Sequence, residues 1–204
     1  MRVLAVDVAL DEAVAELRSG RPVVVPTDTV YGVAALADDE GAVGELYRLK
    51  ARPERIAIAV LVADIVQAEE WVRLGTGGRA LATAFWPGPL TIVGESRRPL
   101  AVGAADGTLG VRCPAVAFVR ELAGMVGPLA TTSANRHGRS TAATAEAAAQ
   151  SLLAEALLVV DGGRCDGMAS TVVRADPDLV VLREGPLRFE DLARAVGGPD
   201  EADP

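Results

Sequence analysis

Apolar positions recur along this chain in two rhythms. Short unbroken runs, Val23-Val24-Val25 the plainest, are bounded by proline, glycine or charge and predict strands covered on both faces. Such strands are predicted over residues 2–8, 23–25, 56–62, 90–93, 129–132 and 158–160, with a short one inside 107–114. Residues 170–174 and 179–183, joined by the turn Asp176-Pro177-Asp178, predict a hairpin. Three- and four-residue spacing predicts helices over 11–18, 39–49, about 78–86, 115–126 and 189–196. Two more carry their own caps, Asp64 for a helix running to Leu74 and Thr144 for an Ala-rich one running to Leu157.

Helices and strands are intermixed, yet the hairpin breaks strict alternation. The expected fold is therefore α/β: one domain over residues 1–196 with a twisted mixed β-sheet flanked by helices, and a flexible acidic tail over 197–204. Half the residues are hydrophobic but only 3% are aromatic, so the core should be Val, Leu, Ile and Ala. A chain of 204 residues buries enough of these to need no staples.

Composition then removes several function classes. Cys113 and Cys165 lack a C-x-x-C spacing, and with His137 the single histidine there is no zinc set; both read as reduced thiols, and no protein metal site is expected. Asp7 and Asp11 interrupt the apolar run a signal peptide needs, and no window approaches the roughly 20 apolar residues of a membrane span, so a cytoplasmic protein is expected. A net charge of −8 argues against wholesale duplex binding. Neither G-x-x-x-x-G-K-[ST] nor G-x-G-x-x-G is present, and His137 lies in a Gly/Arg/Ser loop with no nucleophile elbow.

What remains is a repeated pairing of hydroxyl, amide and cation at strand ends: Thr29, Lys50 with Arg52, Thr108 with Arg112, Ser133 with Asn135, Ser170, and Arg183. Groups of this kind suit an anionic, hydrogen-bonding ligand such as a phosphate or a carboxylate. Thr108 and Arg112 would share one face of an extended strand. Asp28 reads equally as an acid supporting the site or as a turn residue.

Seven segments carry a resemblance. Pro26-Thr27-Asp28-Thr29-Val30-Tyr31-Gly32, Lys50-Ala51-Arg52-Pro53, Phe85-Trp86-Pro87-Gly88-Pro89-Leu90-Thr91, Val111-Arg112-Cys113-Pro114, Ser133-Ala134-Asn135, Ser170-Thr171-Val172 and Leu182-Arg183-Glu184-Gly185 resemble, in this order, the YrdC-like family. The match runs from about Leu10 to Leu187, and the short remainder resembles the single-domain type.

The resemblance implies a YrdC-like domain with an open concave site. It also implies a reaction in which L-threonine, bicarbonate and ATP give threonylcarbamoyl-AMP and pyrophosphate, for use by a tRNA-modifying threonylcarbamoyl transferase complex. Mapped by motif, Thr29, Arg112, Ser133 and Ser170 resemble threonine contacts. Arg52, Thr108, Asn135 and Arg183 resemble ATP contacts, with Lys50 and Arg52 the catalytic cations at the phosphates and Mg2+ carried by the nucleotide.

The chain departs from the family pattern at Ile56, Ala57, Leu61, Ala169 and His137, and an ATP contact at Thr141 or Ala143 cannot be assigned by motif. The alternative within the same resemblance is a module binding double-stranded RNA or ribosomal precursors weakly, through Lys50, Arg52, Arg112, Arg139 and Arg183. The acidic total and the lack of interleaved aromatics weigh against it.

Overall fold

In a computed structural model of the chain, residues 2–51, 57–98, 106–136, 138, 140–152 and 157–197 are described. Eleven strands form one mixed sheet: β1 (Arg2–Ala5), β2 (Val23–Val25), β3 (Gly32–Leu36), β4 (Ala59–Leu61), β5 (Val72–Arg73), β6 (Leu90–Ser96), β7 (Thr108–Arg112), β8 (Leu129–Ser133), β9 (Leu158–Asp161), β10 (Thr171–Arg174) and β11 (Val180–Arg183). Their order across the sheet is β1-β9-β2-β3-β8-β4-β7-β6-β10-β11, with β5 paired to β6. The helices among the described residues are α1 (Leu10–Arg18), α2 (Glu40–Lys50), α3 (Ile65–Trp71), α4 (Gly75–Phe85), α5 (Ala117–Val126), α6 (Ala145–Ser151) and α7 (Phe189–Gly197).

Side chains alternate across the sheet, and the two faces are covered unequally. Val24, Val33, Val60, Val111, Ile92 and Val173 point to a large core beneath α2, α3, α4, α6 and α7. Val23, Val25, Ala34, Leu129 and Leu158 point the other way, to a smaller core beneath α1 and α5. On that second face the part formed by β7, β6, β10 and β11 carries no such helix layer among the described residues, and the cavity described below opens there.

Several elements differ from expectation for identifiable reasons. No strand is predicted over residues 32–36, yet β3 there is a central strand, its small residues packed between β2 and β8. The helix expected to reach Leu74 stops at Trp71, since Val72 and Arg73 pair with Ser96 and Glu95. α4 begins at Gly75 rather than near Gly78, where Asp176 accepts the Gly77 and Gly78 amides at 3.4 and 3.2 Å. β1 is shorter than 2–8, and β4 occupies only part of 56–62. Asp64 and Thr144 cap α3 and α6 as expected; α6 is Ala145–Ser151, and residues 153–156 of the helix predicted to Leu157 lie outside the described residues. Residues 198–204, expected as a tail, lie outside the described residues.

Candidate active site

The segment between β2 and β3 builds one wall from a directed chain of hydroxyls. Thr27 Oγ1 donates to the Val30 carbonyl at 2.6 Å and accepts the Thr29 and Val30 amides, both at 3.2 Å. The Thr29 hydroxyl lies 3.0 Å from that of Thr27, whose proton is committed to Val30. Thr29 in turn accepts from Arg112 Nη1 at 2.9 Å, which leaves its oxygen one lone pair for a ligand. Gly167 backs this loop so closely that a Cβ there would sit 2.6 Å from the Thr29 carbonyl oxygen.

Arg112, at the end of β7, is 5% exposed. Nε donates to the Gly88 carbonyl at 3.0 Å, so the Trp-Pro-Gly-Pro turn before β6 helps aim the guanidinium. Nη2 lies 2.7 Å from Asp28 Oδ1, the distance of an ion pair but without the alignment of a hydrogen bond. Nη2 and Asp28 Oδ2 are thus buried without hydrogen-bond partners among the described residues. Burial lowers the Arg112 pKa, while Asp28 pulls it back up. Asp28 Oδ1 also accepts the Ala115 amide at 3.0 Å, so Asp28 both orients Arg112 and holds the chain after it.

Across the sheet, Ser170 Oγ lies 2.8 Å from Thr91 Oγ1. Arg183 reaches over from β11, donating to the Ser170 carbonyl from Nε at 3.1 Å and Nη2 at 2.9 Å, and to Ser170 Oγ at 3.1 Å. Tyr31, 1% exposed, ties the first wall to the turn after β9: its hydroxyl donates to the Gly163 carbonyl at 2.7 Å and accepts the Gly162 amide at 3.2 Å. Burial pushes its pKa up to about 12, opposed by the Gly162 amide.

Thr27, Thr29, Thr91, Arg112, Ser170 and Arg183 line a cavity of about 520 Å³. Thr29, Thr108, Arg112, Ser133, Ser170 and Arg183, all expected at the site, line it. Lys50 and Asn135 do not. Lys50 is 2% exposed, and its ammonium donates to the carbonyls of Ser133 and Asn135, with Asn135 Oδ1 3.3 Å away. The α2 end is packed into the core, which turns this cation onto the chain after β8 rather than into the cavity. Arg52, His137 and Arg139 lie outside the described residues.

Sequence reasoning passed over Thr27, Thr91 and Asp106 as lining residues. Thr27 and Thr91 stood inside quoted motifs, and their parity with Thr29 and with the β6 apolar residues carried the signal. Thr141, which motif comparison could not assign, lines the cavity as well. Among the described residues, no group of three or more His, Cys, Asp or Glu is gathered as a metal site.

Comparison with known proteins decides the family. A family model named for Sua5, YciO and YrdC, described as telomere recombination, matches residues 15–185. The chain belongs to this family. Human threonylcarbamoyl-AMP synthase is 39% identical over 175 residues, covering 81% of this chain and 62% of the relative. A Mycobacterium tuberculosis relative, provisionally given the same name, is 38% identical over 192 residues, covering 91% and 88%. Among solved structures, Pyrococcus abyssi Sua5 complexed with L-threonine matches with a TM-score of 0.86 and 31% identity, over 92% of this chain. The chain spans 57% of the length of that family member. Escherichia coli YciO, at 22% identity and a TM-score of 0.80, shares the fold.

Proposed function

We propose that this chain is a threonylcarbamoyl-AMP synthase, a nucleotidyltransferase that joins L-threonine, bicarbonate and ATP. The observation that carries the reading is Arg112: a buried guanidinium facing a cavity, with Nη2 lacking a hydrogen-bond partner, beside a Thr29 oxygen that has one lone pair left. A substrate carboxylate meets the first and a hydroxyl or ammonium donor the second, which is the pairing threonine presents. That a structurally similar Sua5 is known in complex with L-threonine supports threonine as the substrate.

The threonine nitrogen condenses with bicarbonate, forming an N–C bond and releasing water. The resulting carbamate oxygen then attacks the α-phosphorus of ATP, and pyrophosphate leaves with the bond to its bridging oxygen. The protein's work in both steps is positioning and neutralisation of charge, with no covalent enzyme intermediate. Arg112, Thr29, Ser133 and Ser170 take threonine. Arg183 and Thr108 take ATP, Mg2+ travels with the nucleotide, and Arg52 is assigned by motif to the phosphates. Lys50 acts by holding Ser133 and Asn135 and by placing its charge behind them. The product suits transfer to an adenosine of tRNA by a separate transferase.

Pyrophosphate release tests this directly: it should require threonine and bicarbonate together with ATP. Release from ATP that is indifferent to either would refute the reading.

A further inference from the structure

Arg112 closes one end of the cavity, and the opposite end has a different chemistry. β7 crosses the floor between them, a span of roughly 13 Å from Arg112 to Thr108 at the usual strand rise. Beyond Thr108, Asp106 is exposed and lines the cavity mouth. Its Oδ1 accepts both the Thr108 amide at 3.0 Å and the Thr108 hydroxyl at 2.7 Å, so the carboxylate is held in one orientation.

Two consequences follow for a ligand. The Thr108 hydroxyl has its only proton committed to Asp106, and toward the cavity it offers lone pairs alone. The Thr108 hydroxyl and amide also lower the Asp106 pKa, keeping it ionised. This end therefore accepts hydrogen bonds, repels phosphate and selects for a donor.

The floor beside it is flat and apolar. Gly110 is paired with Val93, and a Cβ on it would lie 3.7 Å from the Val93 side chain, 3.9 Å from Ala59 and 3.2 Å from the Thr91 methyl. Bare backbone flanked by methyl groups suits the face of a planar ring.

We propose that Asp106, held by Thr108, is a specificity-determining residue that accepts a hydrogen bond from the nucleoside part of the nucleotide substrate, the donor being the 6-amino group of an adenine lying over Gly110. The proposal rests on the reading of the chain as an ATP-using synthase. A 6-oxo purine would set carbonyl lone pairs against the carboxylate and bind less well. A ribose 2′-hydroxyl offers the same donor chemistry from a second source.

Calorimetric titration of the full chain with ATP, ITP and 2′-deoxy-ATP separates these cases, using the wild type, Asp106→Asn and Asp106→Ala, with each variant's thermal midpoint checking its fold. Wild type should bind ATP about tenfold more tightly than ITP, as expected for one hydrogen bond to a charged group. Both substitutions should bring that ratio to within about threefold while leaving threonine affinity unchanged. Collapse of the ATP to deoxy-ATP ratio instead would assign the donor to the ribose and overturn the base assignment. Ratios unmoved in both variants would overturn the role of Asp106 altogether. Wild type that binds no ATP at all would refute the synthase reading itself.

Discussion

Arg112 and its neighbours show how single groups set the chemistry. Asp28, ambiguous from sequence, is the residue that aims Arg112, so it acts on threonine binding through another side chain. Asp28→Asn should raise the KM for threonine several-fold with kcat nearly unchanged. Arg112→Lys, which loses the planar fork, should cost about 10²-fold in kcat/KM for threonine, measured by steady-state pyrophosphate release. Tyr31 offers a pH signature. Its folded pKa is raised to about 12, above the ordinary value near 10, so the stabilisation it carries is fully present below about pH 10 and lost as pH rises through 12. Urea unfolding followed from pH 8 upward should show this decline in wild type. Tyr31→Phe should be less stable by about 1–2 kcal/mol at neutral pH, because the Gly162 amide and Gly163 carbonyl lose their partner. Its alkaline decline should be shallower than that of wild type, the remainder coming from the Cys113 and Cys165 thiols, whose pKa values burial also raises.

At the scale of elements, strands with strong apolar runs and helices with side-chain caps were legible in the sequence. β2, β9, α3 and α6 show it, the last two through Asp64 and Thr144. What escaped was decided by distant partners. β3 exists because β2 and β8 flank it, β5 because β6 lies beside it, and the start of α4 because Asp176 arrives from nearly a hundred residues away. None of these leaves a local period to read. Asp176→Ala should release the Gly77 and Gly78 amides and destabilise the fold by about 1 kcal/mol, read as a lower denaturation midpoint with unchanged kinetics.

For the whole molecule, the decisive feature among the described residues is a sheet that helices cover more fully on one face than on the other. The uncovered part gathers residues from β4, β6, β7, β8, β10 and β11 and from the loop after β2, which is why site residues were scattered along the sequence yet shared strand-end positions. Their convergence was legible through motif order; the inward turn of Lys50 was not, because it depends on how α2 packs against the chain after β8. Since the cavity belongs to the folded sheet alone, threonine at a hundred times its dissociation constant should stabilise the chain by about 2.7 kcal/mol, raising the thermal midpoint by several degrees. The most direct measurement of the central claim is mass spectrometry of the nucleotide product made from 13C-bicarbonate, threonine and ATP. The account predicts threonylcarbamoyl-AMP carrying one 13C, formed in equal amount with pyrophosphate; an AMP product without that carbon, or no product with all three substrates present, would contradict it.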